Sequence, residues 1–411
     1  MNSAPAMSDK WRNLCLLTIS VMLAMGLWFS APAVVPQLTV EWDLTGNQQS
    51  WLTMSVQAGF VIGALVSAVI NLADRVQPQY LVAVSALAGA MFNASIALFA
   101  DSADVAMVFR VLTGVCLAGV YPPGMKLMAT WCKEDRGLGI GLLVGALTIG
   151  SASPHLINAL PFRGGETGMP PWRSVLIVAS VSAAIGAAIA GAFVRPGPVL
   201  PTTSRFSWHY AAQALGEKSA RLANFGYLGH MWELYAMWAW IPLFLLTSYE
   251  QAGWSAASAR VASFATIAAG GIGSVIAGIW ADRWGRTTVS IGSLIISGTC
   301  CLFAGLLFDS PLLLTLLCLI WGLAVVADSA QFSTAISELT DPEHIGTALT
   351  VQTSLGFLLT MVSIWMVPPL VERIGWEWAF ATLAIGPLFG IISMARLRTL
   401  PDAVRMASGN R

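Results

Sequence analysis

Long apolar runs dominate the chain, each closed by a charged or Pro/Gly-rich break. A run of about 20 apolar residues lets an α-helix cross the hydrocarbon core of a bilayer. Such runs cover 14–36, 51–73, 80–100, 105–131, 138–160 and 174–194. After a polar stretch they cover 221–249, 257–281, 287–308, 311–337, 346–371 and 376–397. The pattern predicts an all-α membrane protein with twelve transmembrane helices, spans 1–12. Trp11, Trp51, Trp131, Trp172, Trp254, Trp280, Trp284, Trp376 and Trp378 fall near span ends, as in an aromatic belt. Lys10 and Arg12 precede span 1, yet its apolar run exceeds a cleaved leader's core, so it reads as a retained anchor.

The longest break, 195–220, leaves six spans on either side. It predicts an N-terminal six-helix half (1–194), a cytoplasmic central loop (195–220) and a C-terminal six-helix half with a tail (221–411). Short echoes join the halves. Ala73-Asp74-Arg75 returns 208 positions later as Ala281-Asp282-Arg283, and Arg136-Gly137 is echoed by Ile345-Gly346 at an offset of 209. Met25–Phe29 resembles Met231–Tyr235 at an offset of 206. Two parallel six-helix units about an axis normal to the membrane form an alternating-access plan, with a solute site between the halves.

Composition sharpens this picture. Only 10% of the 411 residues are charged, against roughly 25% in soluble proteins, which excludes a soluble enzyme. The 21 basic and 21 acidic residues cancel overall, but not by side. With the N-terminus in the cytoplasm, 15 Lys and Arg fall inside, 4 outside and 2 within spans. The asymmetry puts both termini in the cytoplasm of a cell inner membrane. Without a basic stripe, no nucleic-acid partner is expected. The six cysteines form no CxxC pair and read as buried thiols, not as a metal or disulfide framework. With no phosphate loop and no nucleophile–base pair, neither a cofactor, a metal nor a catalytic residue is expected.

The segment from Gly278 to Arg286 reads G-I-W-A-D-R-W-G-R. It resembles the G-x-x-x-D-R-x-G-R loop signature of the major facilitator superfamily. The first-half copy keeps only Asp74 and Arg75; Ile70, Gln77 and Pro78 replace the remaining signature residues. The resemblance implies that Asp74, Arg75, Asp282, Arg283, Gly285 and Arg286 form gating loops. Asp282 would latch onto the start of span 5 near Arg136, and Asp74 onto the start of span 11 near His344. Arg283 and Arg286 would also reach anionic headgroups. Arg110 and Gly114 are similar to the family's R-x-x-x-G pattern in span 4, whose Arg tunes a nearby acid in proton-coupled members. Ala146 follows Gly145 where drug/proton antiporters carry a Gly-Pro pair. Gly137, Gly141 and Gly145 share a face suited to close helix packing.

A charge in mid-span costs roughly 2.5–3.5 kcal/mol and marks a functional candidate. The candidates are Arg110 and Lys126 in span 4, Glu233 in span 7 and Asp328 in span 10. His230 stands three residues before Glu233, so the two share a helix face and together would carry a proton. Arg110 and Lys126 would hold an anion, and Asp328 would pair with Lys126. Trp28, Phe29, Trp238 and Trp240 are candidate cavity walls, and Gln57, Asn93, Gln331 and Gln352 candidate polar contacts.

The resulting expectation is a monomeric secondary transporter that takes up a small organic or inorganic anion with protons. Efflux of amphipathic compounds and a non-transporting sensor or assembly partner remain open alternatives.

Overall fold

The computed structural model describes residues 7–132, 136–160, 170–198, 206–341 and 343–410, and the described secondary structure is helical throughout. Nine segments among them are long and apolar enough to cross a membrane, and one, 345–398, holds spans 11 and 12. Met7–Met25 and Lys218–Gln251, whose polar residues dilute the hydropathy, supply spans 1 and 7. The remaining spans are Gly46–Val69, Pro78–Phe99, Ala103–Ala129, Gly137–Ile157, Trp172–Phe193, Ala256–Trp284, Arg286–Leu307 and Pro311–Leu339.

Several predicted spans are interrupted. Span 1 stops at Met25 and unwinds; a 3-10 turn at Pro32–Val34 and a short helix, Val35–Trp42, follow. Pro32 and Pro36 supply no backbone N–H and so favour a fresh helix start over continuation. Span 4 divides into Ala103–Leu117 and Tyr121–Ala129, with Pro122 in the new first turn. Span 10 divides at Asp328. The breaks in spans 4 and 10 lie about as far apart as the sequence echoes, as a duplicated unit requires. Gly375, at φ 71°, separates spans 11 and 12 in a conformation that glycine adopts without steric cost.

Helix crossings repeat between the halves as well. In the first, Gly114 lies against the backbone of Val56; in the second, Gly322 lies against that of Thr266. A Cβ at either position would collide with the facing carbonyl. Small residues permit this approach where packing, not the hydrophobic effect, joins helices.

Two helix pairs carry the most extensive packing between the halves among the described residues. Span 5 packs along span 8, where Ser274 Oγ donates to Gly141 O at 3.2 Å and Gly145 faces Gly271. Span 2 packs on span 11, where Thr360 Oγ1 donates to Gln57 Oε1 at 3.1 Å and Trp365 Nε1 to Asn47 Oδ1 at 3.2 Å. The face carrying both termini also carries the helix Trp208–Gly216; it is called the terminal face below. Outward positions such as Val84, Met91 and Phe99 on span 3 and Leu312, Leu316 and Ile320 on span 10 are exposed and apolar, as lipid contact demands. Of the predicted belt, Trp172 is buried, edge-on to Trp42, and is no belt residue.

Candidate functional site: the cavity between the halves

Spans 4, 5, 7, 10 and 11 enclose a narrow cavity of about 60 Å³. Its walls combine Tyr121, Tyr227, Tyr235, Trp238 and Phe357 with aliphatic side chains and the hydroxyls of Thr148, Ser329, Ser333 and Thr353. No charged side chain among the described residues lines it. Span 7 supplies most of one wall because Tyr227, Met231, Leu234, Tyr235 and Trp238 follow helical spacing along one stripe.

Aromatic rings from both halves fill the end away from the terminal face. Trp28 lies 5.0 Å from Phe60 and 5.2 Å from Phe357, while Phe60 lies 4.9 Å from Phe357. Phe29 meets Trp238 edge-on at 5.8 Å, and Tyr235 lies 5.4 Å from Trp238. All six rings are buried. The half-buried lining residues Tyr121, Met125, Ser333 and Thr353 instead lie toward the terminal face. The cavity is thus plugged at one end and approached from the other. Of the expected wall residues Trp238 lines the cavity, whereas Trp28 and Phe29 belong to the plug and not to the lining. Trp240 does not join them; its Nε1 donates to Ile364 O at 2.9 Å.

Arg110 is fully buried away from the cavity lining. Its Nη1 donates to Leu27 O at 2.8 Å, its Nη2 to Trp28 O and its Nε to Leu52 O at 3.2 Å. The unwound end of span 1 presents carbonyls to which no helix N–H donates, and a guanidinium with five N–H donors serves them. Arg110, expected to hold an anion, thus faces backbone carbonyls and not the cavity lining; its three mapped contacts join spans 1, 2 and 4.

Glu233 is likewise fully buried. Trp321 Nε1 donates to its Oε1 at 2.6 Å, Cys301 Sγ to the same oxygen at 3.0 Å, and Ser297 Oγ to Oε2 at 2.9 Å. These partners come from spans 9 and 10, so the expected His230–Glu233 pair does not form. Instead His230 Nδ1 lies 2.9 Å from Asp328 Oδ1, both side chains being 1% exposed. That contact also replaces the expected Lys126–Asp328 pair. His230 Nε2 and Asp328 Oδ2 have no protein hydrogen-bond partner among the described residues. Met231 and Ser329, their chain neighbours, line the cavity. Lys126 is half-buried on the helix that brings Tyr121 and Met125 to the wall.

At the terminal face, the Asp282 carboxylate stands over the first turn of span 5; a Cβ on Gly137 would come within 2.8 Å of its Oδ2. Acids are attracted to helix N-termini. Gly285 turns the chain with φ 91° and ψ 149°, a backbone open only to glycine, which explains the signature's second Gly. Arg286 is 4% exposed and pairs with Asp282 at 2.9 Å and Glu338 at 3.0 Å. Its Nη1 donates to Gln331 Oε1 at 3.1 Å. It therefore ties spans 8, 9 and 10 together and does not reach headgroups; Arg283 is exposed. The tail braces the same cluster, with Ala407 N donating to Glu338 Oε2 at 3.0 Å and Asn410 Nδ2 to Asp282 O at 3.1 Å. In the first half, Arg75 is exposed, and the side chains of Asp74 and Arg136 lie outside the described set. The start of span 11 is covered by Tyr210, whose ring stacks on His344.

Comparison with known proteins agrees with this architecture. The chain is 25% identical over 314 residues to an uncharacterized MFS-type transporter, Rv2994, of Mycobacterium tuberculosis, covering 72% of this chain and 65% of that protein. It is 26% identical over 166 residues to the 4-hydroxybenzoate transporter PcaK of Acinetobacter baylyi, covering 39% and 34%. The matches thus span less than two thirds of either relative. Among solved structures, the proton:xylose symporter XylE, bound to 6-bromo-6-deoxy-D-glucose, superposes with a TM-score of 0.72 at 14% identity. That match covers 95% of this chain and 96% of XylE. A bacterial homolog of the human lysosomal transporter Spinster, inward-facing and unoccupied, gives 0.68 at 16% identity, covering 95% and 97%. The sequence profile of the Major Facilitator Superfamily matches residues 16–249 and 223–410, and the chain belongs to that superfamily.

Proposed function

We propose that the protein is a secondary transporter that moves a small aromatic or amphipathic solute by alternating access, coupled to protons. The terminal face would look into the cytoplasm of an inner membrane, as the Lys and Arg asymmetry favours. One observation carries the reading: an aromatic and hydroxyl-lined cavity with no charged wall residue among those described, set beside a buried His–Asp contact. A permanently charged solute would meet no counter-charge on that wall. His230 and Asp328 retain hydrogen-bonding capacity, so a proton arriving there changes the attraction between spans 7 and 10. Span 10 breaks at Asp328, which gives that change a place to bend the helix.

PcaK and XylE, by their names, handle 4-hydroxybenzoate and couple xylose to protons. Those names support a small ring-shaped solute and proton coupling for this chain. A second reading, uptake of an aromatic anion, is favoured by Lys126 on the wall-forming helix of Tyr121 and Met125.

The test is reconstitution in liposomes under a pH gradient of either sign, with neutral amphipathic compounds and aromatic carboxylates as solutes. Gradient-driven flux that disappears in Asp328→Asn is the expected result, and its direction relative to the proton separates uptake from efflux. Ligand-induced stabilisation with no flux of any solute would overturn transport in favour of a sensor.

A further inference from the structure

After its break at Asp328, span 10 continues as the helix Ser329–Leu339, with Thr340 at its C-terminal cap. Between 328 and 340 only Ser329, Ser333, Ser337, Glu338 and Thr340 escape full burial. Glu338 is taken up by Arg286. The three serines stand at i, i+4 and i+8, on one face of the helix. The segment is therefore open along that face, and Ser329, Ala330 and Ser333 put its upper part in the cavity wall.

Neighbouring hydroxyls are already engaged. Thr334 Oγ1 donates to Ala330 O at 2.7 Å and Ser337 Oγ to Thr334 O at 2.7 Å. On the wall itself, Thr148 Oγ1 donates to Val144 O at 2.8 Å, and Thr353 is bonded to Tyr227. Ser329 and Ser333 differ. Neither side chain has a hydrogen-bond partner among the described residues, and neither oxygen is sealed off, in contrast to the unpaired hydroxyls of Thr266, Ser290 and Ser354. Tyr121 and Tyr235 also bring hydroxyls to the wall, but from two different helices. Among the described lining hydroxyls, only those of Ser329 and Ser333 stand one turn apart on one helix.

One turn sets two Cβ atoms about 5–6 Å apart. With matching rotamers the two oxygens keep that spacing, and a hydroxyl between them sits about 2.7 Å from each, an O–H···O distance. Serine hydroxyls both donate and accept, so such a group can give a hydrogen bond to one serine and take one from the other. The first half offers Met125, Ile140, Val144 and Leu147 to the same cavity, an apolar lining suited to a ring.

We infer that Ser329 and Ser333 are the specificity-determining polar subsite of the cavity, and that its solutes are neutral phenols or ring alcohols whose hydroxyl bridges the two serines. This rests on the reading of the cavity as the solute site. A site that hydrogen-bonds a solute hydroxyl rejects the analogue lacking it, because the polar groups of the site are then left unpaired and dry.

p-Cresol and p-xylene test the inference, since they share shape and differ by a hydroxyl in place of a methyl group. Each is titrated by calorimetry against the purified full-length protein and against the double variant Ser329→Ala, Ser333→Ala. Alanine is the better helix former, and neither hydroxyl has a protein partner to lose, so the variant should fold. Its affinity for p-cresol should fall about tenfold while that for p-xylene stays within about twofold. Tyr121→Phe should keep p-cresol affinity within about twofold; a tenfold loss there, with none in the double variant, would move the subsite to span 4 and overturn the assignment. Unchanged p-cresol affinity in all variants also overturns it and leaves the solute site standing. Equal weakening of both compounds in the double variant overturns it too, since the serines would then act only through packing. Failure of both compounds to bind the wild-type protein overturns the assignment together with the solute site.

Discussion

Arg110 and Glu233 are fully buried in opposite halves, yet neither resembles the His230–Asp328 contact. Arg110 gives three hydrogen bonds to carbonyls of spans 1 and 2, and Glu233 receives three from spans 9 and 10. Each is sealed inside one half. His230 and Asp328 touch one another, and Nε2 and Oδ2 have no protein partner among the described residues, beside residues of the cavity wall. The contrast shows that a charge in the membrane does not mark function by itself. Partners that saturate it make it a structural pin; unused capacity beside a cavity leaves it able to respond.

This distinction breaks or sharpens at particular residues. The largest effect on stability is expected for Arg110→Ala, which takes the mapped donor from the buried Trp28 carbonyl, while Leu27 O keeps Ser30 Oγ and Leu52 O keeps its own helix. At about 1–3 kcal/mol for the carbonyl left unpaired, the melting temperature should fall by about 5 °C. Thermal unfolding in detergent measures this, and Arg110→Lys should rescue poorly because one ammonium cannot span the fork. Next comes Asp328→Asn, a near-isosteric change. Proton-driven accumulation should fall to the level of empty liposomes while the melting temperature stays close to wild type. An unfolded Asp328→Asn protein would place this pair with the structural pins.

Glu233→Gln should behave in the opposite way. One donor among Ser297, Cys301 and Trp321 meets an amide NH₂ in place of a carboxylate oxygen, costing about 1–2 kcal/mol. Gradient-driven flux should persist within about twofold; its complete loss with intact folding would return the proton to Glu233. The smallest effect is expected at the contact between halves. Gln57→Ala removes the acceptor that Thr360 Oγ1 finds across the halves, leaving it Phe357 O on its own helix, a loss of about 1 kcal/mol at most. It should raise the population open at the plugged end about fivefold, read as faster labelling of a single cysteine introduced at position 60.

How far the sequence reached can be seen at the same residues. The i, i+3 spacing of His230 and Glu233 suggested a pair. Three residues at 3.6 per turn leave about 60° between two side chains, enough at a crowded crossing to send each to a different neighbour. Arg110 could not be read as a pin, because an unbroken apolar run concealed the unwinding of span 1 after Met25. Tyr121, Tyr227 and Thr353 were not singled out. A signal existed, since Tyr227, Met231 and Tyr235 recur at i, i+4, i+8 on the span that carries Glu233. The Asp282–span 5 contact was legible, because the loop signature and the sequence echo together placed it.

The sequence by itself determined that the chain is a bundle of apolar helices of this superfamily and which loop turns on Gly285. Apolar run length and backbone geometry are local properties written in consecutive residues. Only the tertiary structure decided which charges are saturated by partners and which pair lies beside the cavity. Hydrogen-bond partners in a helical bundle come from other spans, so side-chain spacing along one helix does not identify them.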